Sequence, residues 1–169
     1  MKPDDEEEFQ AFVRSRWPGL VRTAYLLTGD AHLAEDVAQN ALTKVYRSWR
    51  RVRSSDHPDA YVRRVLVSCH HDRFRKRRVA EQLTDRPPDL RPGPDDMART
   101  DERMRLHAAL LKLPRRQRAV VVLRYWEDLS ATEVAAALGC STGTVKSQSA
   151  KALVKLRRLL AHGPVAALP

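Results

Sequence analysis

Cysteine is scarce: Cys69 and Cys140 are the only two in 169 residues. They lie far apart, with no second cysteine at metal-ligand spacing. A disulfide framework is thereby excluded, and a reduced, cytoplasmic chain with two incidental thiols is expected. No run of about eighteen apolar residues occurs, so nothing in the sequence spans a bilayer. The opening MKPDDEEEF is acidic and lacks the apolar centre of a secretory signal. A Gly-rich phosphate loop, H-E-x-x-H, C-x-x-C and a nucleophile-elbow serine are all missing. His70 and His71 are adjacent, so they point to different sides of a helix and make a poor metal pair. No active site, metal site, cofactor or small-molecule substrate is expected. Strand patterning and internal repeats are missing too, which leaves an all-α fold class.

Acidic residues are in deficit as well. Lys and Arg number 31 against 21 Asp and Glu, for a net charge of +10 and a pI near 10.2. Most of the excess is arginine, whose planar fork fits phosphates and guanine edges. Nucleic acid is therefore the favoured partner, although a basic surface would also suit an anionic membrane.

Along the chain, Asp4 to Glu8 read as a solvated helix start, where carboxylates suit the positive end of the dipole. Phe9, Phe12, Val13, Leu20, Val21, Ala24 and Leu27 then mark a helix interrupted or kinked at Trp17-Pro18. Thr28-Gly29-Asp30 ends it, and Asp30 caps a second helix predicted to run to about Arg50. That helix carries two adjacent apolar stripes, Leu33, Val37, Ala41, Val45 and Trp49 beside Ala34, Ala38, Leu42 and Tyr46. Its other face is polar, with Glu35, Asp36, Gln39, Asn40, Thr43 and Arg47. Arg50 to Asp59 read as a loop of turn formers. Pro58 opens a third helix with Tyr61, Val62, Val65, Leu66 and Cys69 inward and the basic run DRFRKRR at its end. Such a run can be a plain solvated helix end; with Arg47, Arg50, Arg51, Arg53, Arg63 and Arg64 nearby, a phosphate-tracking surface is the stronger reading.

Residues 84 to 96, TDRPPDLRPGPDD, have almost no apolar content and read as an extended linker. Two small helical domains follow from it: residues 1–80 and 101–163, joined by 81–100, with a short tail at 164–169. In the second domain, one helix carries Leu106, Ala109, Leu110 and Leu113. Pro114 starts the next, and Ala119 to Leu123 with Tyr125 and Trp126 are predicted to centre the core.

The chain then reads LSATEVAAALGCSTGTVKSQSAKALVKLRRLL, residues 129 to 160. Ser130 and Glu133 form an S-x-x-E capping box, stapled by Leu129 and Val134. Gly139 suits the left-handed end of that helix, and Ser141 caps a second one with Val145, Ala152, Leu153, Leu156 and Leu160 inward. This is a helix-turn-helix, whose second helix is the one expected in a major groove. An ordinary helical hairpin in a bundle core is the plainer alternative. Against it, Gly143, Lys146, Ser147, Ala150 and Lys151 share an outward side with no carboxylate, whereas solvated faces mix both signs.

Three stretches carry a family resemblance: LTGDAHLAEDVAQNAL (27–42), DAYVRRVLVSCHHDRFRKRR (59–78) and LLKLPRRQRAVVVLRYWEDLSATEVAAALGCSTGTVKSQ (110–148). Through them the chain resembles the extracytoplasmic-function (ECF) sigma factors of bacterial RNA polymerase, within the sigma-70 superfamily, and among these the actinobacterial SigE-like group. The resemblance implies that residues 1–80 are sigma region 2 and 101–163 sigma region 4. Asp36, Gln39 and Asn40 match the place where such factors dock on the β′ clamp helices, with Asn40 standing where Glu is frequent. Arg50, Arg53, Arg63, Arg64, Ser68, Asp72 and Arg75 match positions that hold the melted non-template strand of the minus-ten element, with Ser68 where Asn is common.

In region 4 the resemblance implies that Thr142, Thr144, Lys146, Ser147, Gln148 and Lys151 belong to the helix that reads the minus-thirty-five element. Many relatives carry Arg at positions 148 and 151. Arg115, Arg116, Ser130 and Thr132 are expected on phosphates. The implied partners are core RNA polymerase, through its β′ clamp helices and β flap, and promoter DNA, both duplex and melted. An anti-sigma factor is a usual further partner in the family. The alternative is a helix-turn-helix regulator that binds operator DNA as a dimer.

Overall fold

The computed structural model describes residues 3–81 and 101–162, of which the side chains of residues 74 and 77–81 are not included. The linker expected at 81–100 and the tail at 164–169 lie outside the described residues, apart from Glu81. All regular structure among the described residues is helical. The chain divides into two compact units, Met1–Arg91 and Pro92–Pro169.

In the first unit, α1 (Pro3–Thr28) and α4 (Pro58–Glu81) both pack on α2 (Ala31–Arg47), with the short α3 (Trp49–Arg53) beside them. The two apolar stripes of α2 explain this: Ala34, Val37, Ala38, Ala41, Leu42 and Val45 are all buried, a face wide enough for two neighbours. Asp30 accepts the Leu33 amide at 3.0 Å and starts the helix as expected.

Three expectations change here. α1 runs unbroken through Pro18. A proline inside a helix costs about 3 kcal/mol. Phe9, Phe12, Val13 and Trp17 before it and Leu20 and Ala24 after it pack on one core. A fully buried large side chain contributes roughly 1.5–3 kcal/mol and a part-buried one less, so the set together outweighs the lost hydrogen bond. The second helix stops at Arg47, where Ser48 leaves helical geometry, and the chain resumes as α3. The loop is therefore confined to residues 54–57. Burial of Trp49 drives the re-start: its ring lies 5.2 Å from Phe9 and 5.0 Å from Phe12. Finally, Asp5 is not solvated but buried, for a reason given below.

The second unit holds α5 (Asp101–Leu111), α6 (Arg115–Val121), a π-helical turn (Val122–Trp126), α7 (Ala131–Leu138) and α8 (Thr142–Ala161). Ala119 to Leu123 form its buried centre as expected. Tyr125 and Trp126 do not join it; they are 54% and 52% exposed. The wide turn is closed by Glu127 N–H donating to the Val122 carbonyl at 3.0 Å. A five-residue hydrogen bond turns these two rings away from the face a regular helix would give them. Leu106 is also exposed, while Ala109, Leu110 and Leu113 are buried as predicted.

Candidate DNA and polymerase interfaces

The helix-turn-helix forms from its caps outward. Ser130 Oγ accepts the Glu133 amide at 3.2 Å, and Glu133 Oε2 accepts the Ser130 amide at 2.7 Å. Leu129 and Val134 are buried behind this box. Gly139 ends α7 at φ +65°, the left-handed region in which a Cβ is strained. Ser141 Oγ then accepts the Thr144 amide at 3.1 Å and starts α8. Val145, Ser149, Ala152 and Leu156 anchor α8 inward. Thr142, Lys146, Ser147 and Lys151 are exposed on the other side, with Thr144 and Gln148 half-buried between. No carboxylate occurs along the helix. Thr144's hydroxyl lies 2.9 Å from that of Ser141, which leaves its methyl group as the part to offer a partner.

Ser130, Thr132 and Arg116 are exposed around the same motif. Arg115 is half-buried, and desolvation together with the neighbouring Arg118 charge lowers its pKa to about 10, so it stays cationic at neutral pH. In the first unit, Asp36, Gln39 and Asn40 form an exposed strip on α2. Asp36 is paired with Arg73 of α4 at 2.9 Å. Asp72 lies between Lys44 at 3.4 Å and Arg75 at 3.6 Å. Arg64 and Ser68 are exposed along α4 and Arg63 is half-buried. Arg64 rests 5.4 Å over the Tyr61 ring. Among the described residues no three His, Cys, Asp or Glu side chains group as metal ligands.

The family described as "Sigma-70 region 2" matches residues 12–79, and "Sigma-70, region 4" matches residues 103–156. The chain is 40% identical over 153 residues to the RNA polymerase sigma-E factor of Streptomyces coelicolor, covering 90% of this chain and 86% of the relative. It belongs to the ECF sigma factors. The ECF RNA polymerase sigma factor SigM of Mycobacterium tuberculosis is 30% identical over 158 residues, 94% of this chain and 80% of that one. Among solved structures, the sigma factor RpoE of Bartonella quintana, in complex with the anti-sigma factor NepR, has the same fold. Its TM-score is 0.79 at 24% identity, covering 94% of this chain and 99% of that chain. The protein is thus a sigma factor that directs transcription initiation, working with core RNA polymerase on promoter DNA.

Three residues of this sigma factor matter more than the sequence reading allowed. Arg118 donates to the carbonyls of Leu110, Leu111 and Leu113 at 3.0, 3.0 and 3.3 Å, closing the C-terminal end of α5. Burial lowers its pKa, yet the three acceptors hold the guanidinium in place. A basic residue a few positions beyond a predicted helix end was the available signal. Tyr125 Oη lies 3.1 Å from Ser149 Oγ, which links the π-turn to α8. Asp5 receives Arg50 Nε at 2.8 Å and Arg53 Nη2 at 3.1 Å. Nothing in the spacing of MKPDDEEEF predicts that contact, since its partners lie 45 residues or more along the chain. Cys69 is a buried thiol: burial pushes its pKa up, against the pull of Lys44.

Proposed function

We propose that this sigma factor divides initiation between its two units, residues 1–80 acting as region 2 and 101–163 as region 4. In region 2, Asp36, Gln39 and Asn40 dock on the β′ clamp helices of the polymerase. Arg50, Arg53, Arg63, Arg64, Ser68, Asp72 and Arg75 meet the melted non-template strand of the minus-ten element. A cation of the docking partner takes Asp36 from Arg73; both are exposed, so the exchange costs little. In region 4, α8 enters the major groove of the minus-thirty-five element. Lys146, Ser147 and Lys151 reach base edges, Gln148 pairs with an adenine edge, and Thr142 and Thr144 contact the groove at the start of the helix. Arg115, Arg116, Ser130 and Thr132 hold phosphates and set the register. The same unit meets the β flap.

The observation that carries this reading is the open face of α8, which combines lysines and small polar side chains with no carboxylate. The sigma factor supplies binding energy and strand trapping, and the polymerase supplies the bond-making chemistry, so no catalytic residue is assigned. It acts in the cytoplasm, where the polymerase is. An anti-sigma factor is its expected antagonist, a reading supported by the complexes of RpoE with NepR and of CnrH with the cytosolic domain of CnrY.

Run-off transcription on genomic promoter fragments, with core polymerase and the protein added or omitted, is the test. Start-site-specific transcripts should appear only with the protein. Asp36→Ala with Gln39→Ala should abolish them without loss of helical content. A protein that instead shifts a palindromic duplex alone, as a dimer, and yields no transcript would be an operator-binding regulator.

A further inference from the structure

The acidic opening of α1 turns onto the arginines of α3. Asp5 has a side chain only 5% exposed, and both its oxygens are occupied, by Arg50 Nε at 2.8 Å and Arg53 Nη2 at 3.1 Å. Glu8, one turn along, takes Arg53 Nη1 from an exposed position, its own side chain 51% accessible. Arg50 remains 62% exposed. Among the described residues Asp5 takes Arg50 through its Nε, and the terminal N–H groups of the fork can serve a second acceptor.

The two carboxylates differ in what they can do. Asp5 is walled in by protein and cannot follow its arginines toward a ligand; removing them would strand a buried charge. It therefore holds both guanidinium groups in one arrangement. The Glu8 pair is at the surface, where ion pairs are weak and screened by salt. A phosphate is a strong bidentate acceptor for arginine and can take its place. A simple tether between α1 and α3 would make both pairs act in the same direction, through stability alone.

We propose that the first turns of α1 set the minus-ten arginines by two opposite actions. Asp5 is a positioning residue that fixes Arg50 and Arg53 in the arrangement the melted strand meets. Glu8 is an internal counter-anion that a phosphate of that strand displaces from Arg53. The proposal rests on the assignment of Arg50 and Arg53 to the minus-ten strand.

The experiment measures binding of holoenzyme, reconstituted from core polymerase and full-length protein, to a fork-junction fragment of a promoter that supports run-off transcription. Glu8→Gln should bind about two- to fivefold tighter at low salt. That gain should fade toward 1 M salt, where the Debye length falls to about 3 Å. Asp5→Asn should bind roughly tenfold weaker or worse at every salt concentration. Neither change should have any further effect in an Arg50→Ala, Arg53→Ala background. Melting temperature and affinity for core polymerase are followed for each variant. Should Asp5→Asn fail to fold, the sign and salt dependence of Glu8→Gln decide.

Weaker binding by Glu8→Gln, or effects that persist without the two arginines, would overturn the proposal. So would unchanged binding by Asp5→Asn and Glu8→Gln where Arg50→Ala with Arg53→Ala weakens it. If the arginine variant itself binds normally, the minus-ten assignment is what fails, and the proposal falls with it.

Discussion

Arg118 shows how one side chain can hold a helix end. Its guanidinium spans the carbonyls of Leu110, Leu111 and Leu113 at and just beyond the end of α5, where the helix runs out of its own amides and only Leu110 also takes a backbone bond, from the Leu113 amide. Arg118→Ala should destabilise residues 101–163 by about 2–3 kcal/mol, because hydrogen bonds from a charged donor are lost and their acceptors stay part-buried. In a unit of this size that lowers the thermal midpoint by roughly 15–20 °C, readable by circular dichroism. Arg118→Lys should recover only part of the loss, since an ammonium is a point donor and cannot span the same acceptors. Its neighbours Arg115 and Arg116 carry the same charge in sequence but not in role. One is half-buried, the other exposed, and the pattern PRRQR does not distinguish them.

At the level of elements, the helix-turn-helix is the most locally determined part of the molecule. The Ser130–Glu133 box, Gly139 at positive φ and the Ser141 cap each form between residues within a few positions of one another. Such contacts depend on spacing alone and are legible before any fold is known. Ser141→Ala should cost about 1 kcal/mol of stability. Gly139→Val should cost more than Ser141→Ala, because a β-branched residue is forced into the left-handed region. Both are checked by urea unfolding, and Gly139→Val should also weaken minus-thirty-five binding by tilting α8. The π-turn is the contrary case. Ala119 to Leu123 with Tyr125 and Trp126 reads as one apolar centre broken only by Arg124, and the five-residue hydrogen bond accompanies the outward turn of Tyr125 and Trp126. Composition carries no mark of which turn will widen.

Across the whole molecule, a charge of +10 sets the regime in which promoter binding works. Should about six of the assigned cations meet phosphates, affinity for a promoter fragment falls roughly 10³-fold between 50 and 200 mM salt. Arg116→Ala should make the slope of log affinity against log salt shallower by about 0.9 without changing sequence preference. Gln148→Ala should leave the slope intact and relax preference at one base pair instead. Binding isotherms of the holoenzyme over a salt series separate the two. Internal ion pairs of the first unit, among them Asp5 and Glu8 on Arg50 and Arg53, Asp59 on Arg16, Asp36 on Arg73, and Asp72 on Lys44 and Arg75, hold part of this charge in check.

Sequence alone determined the all-helical class, the caps of the helix-turn-helix, the inward face of α4 and that of α2 apart from the exposed Tyr46 and from Trp49, which falls in α3, and the sigma-factor family. Each of these rests on periodicity, on capping at short range, or on an extended motif. Tertiary structure decided which charges are free. Asp5 became a buried clamp, Arg118 a helix cap and Asp36 a partner of Arg73, because their partners lie on other helices that come alongside only when the core packs. It also carried α1 through Pro18 and ended α2 at Ser48, since the burial of Trp49 and the aromatic side chains around it outweighs local backbone preference. Local spacing specifies elements, whereas long-range packing assigns each charged side chain its partner, and that pairing sets which of them can meet DNA.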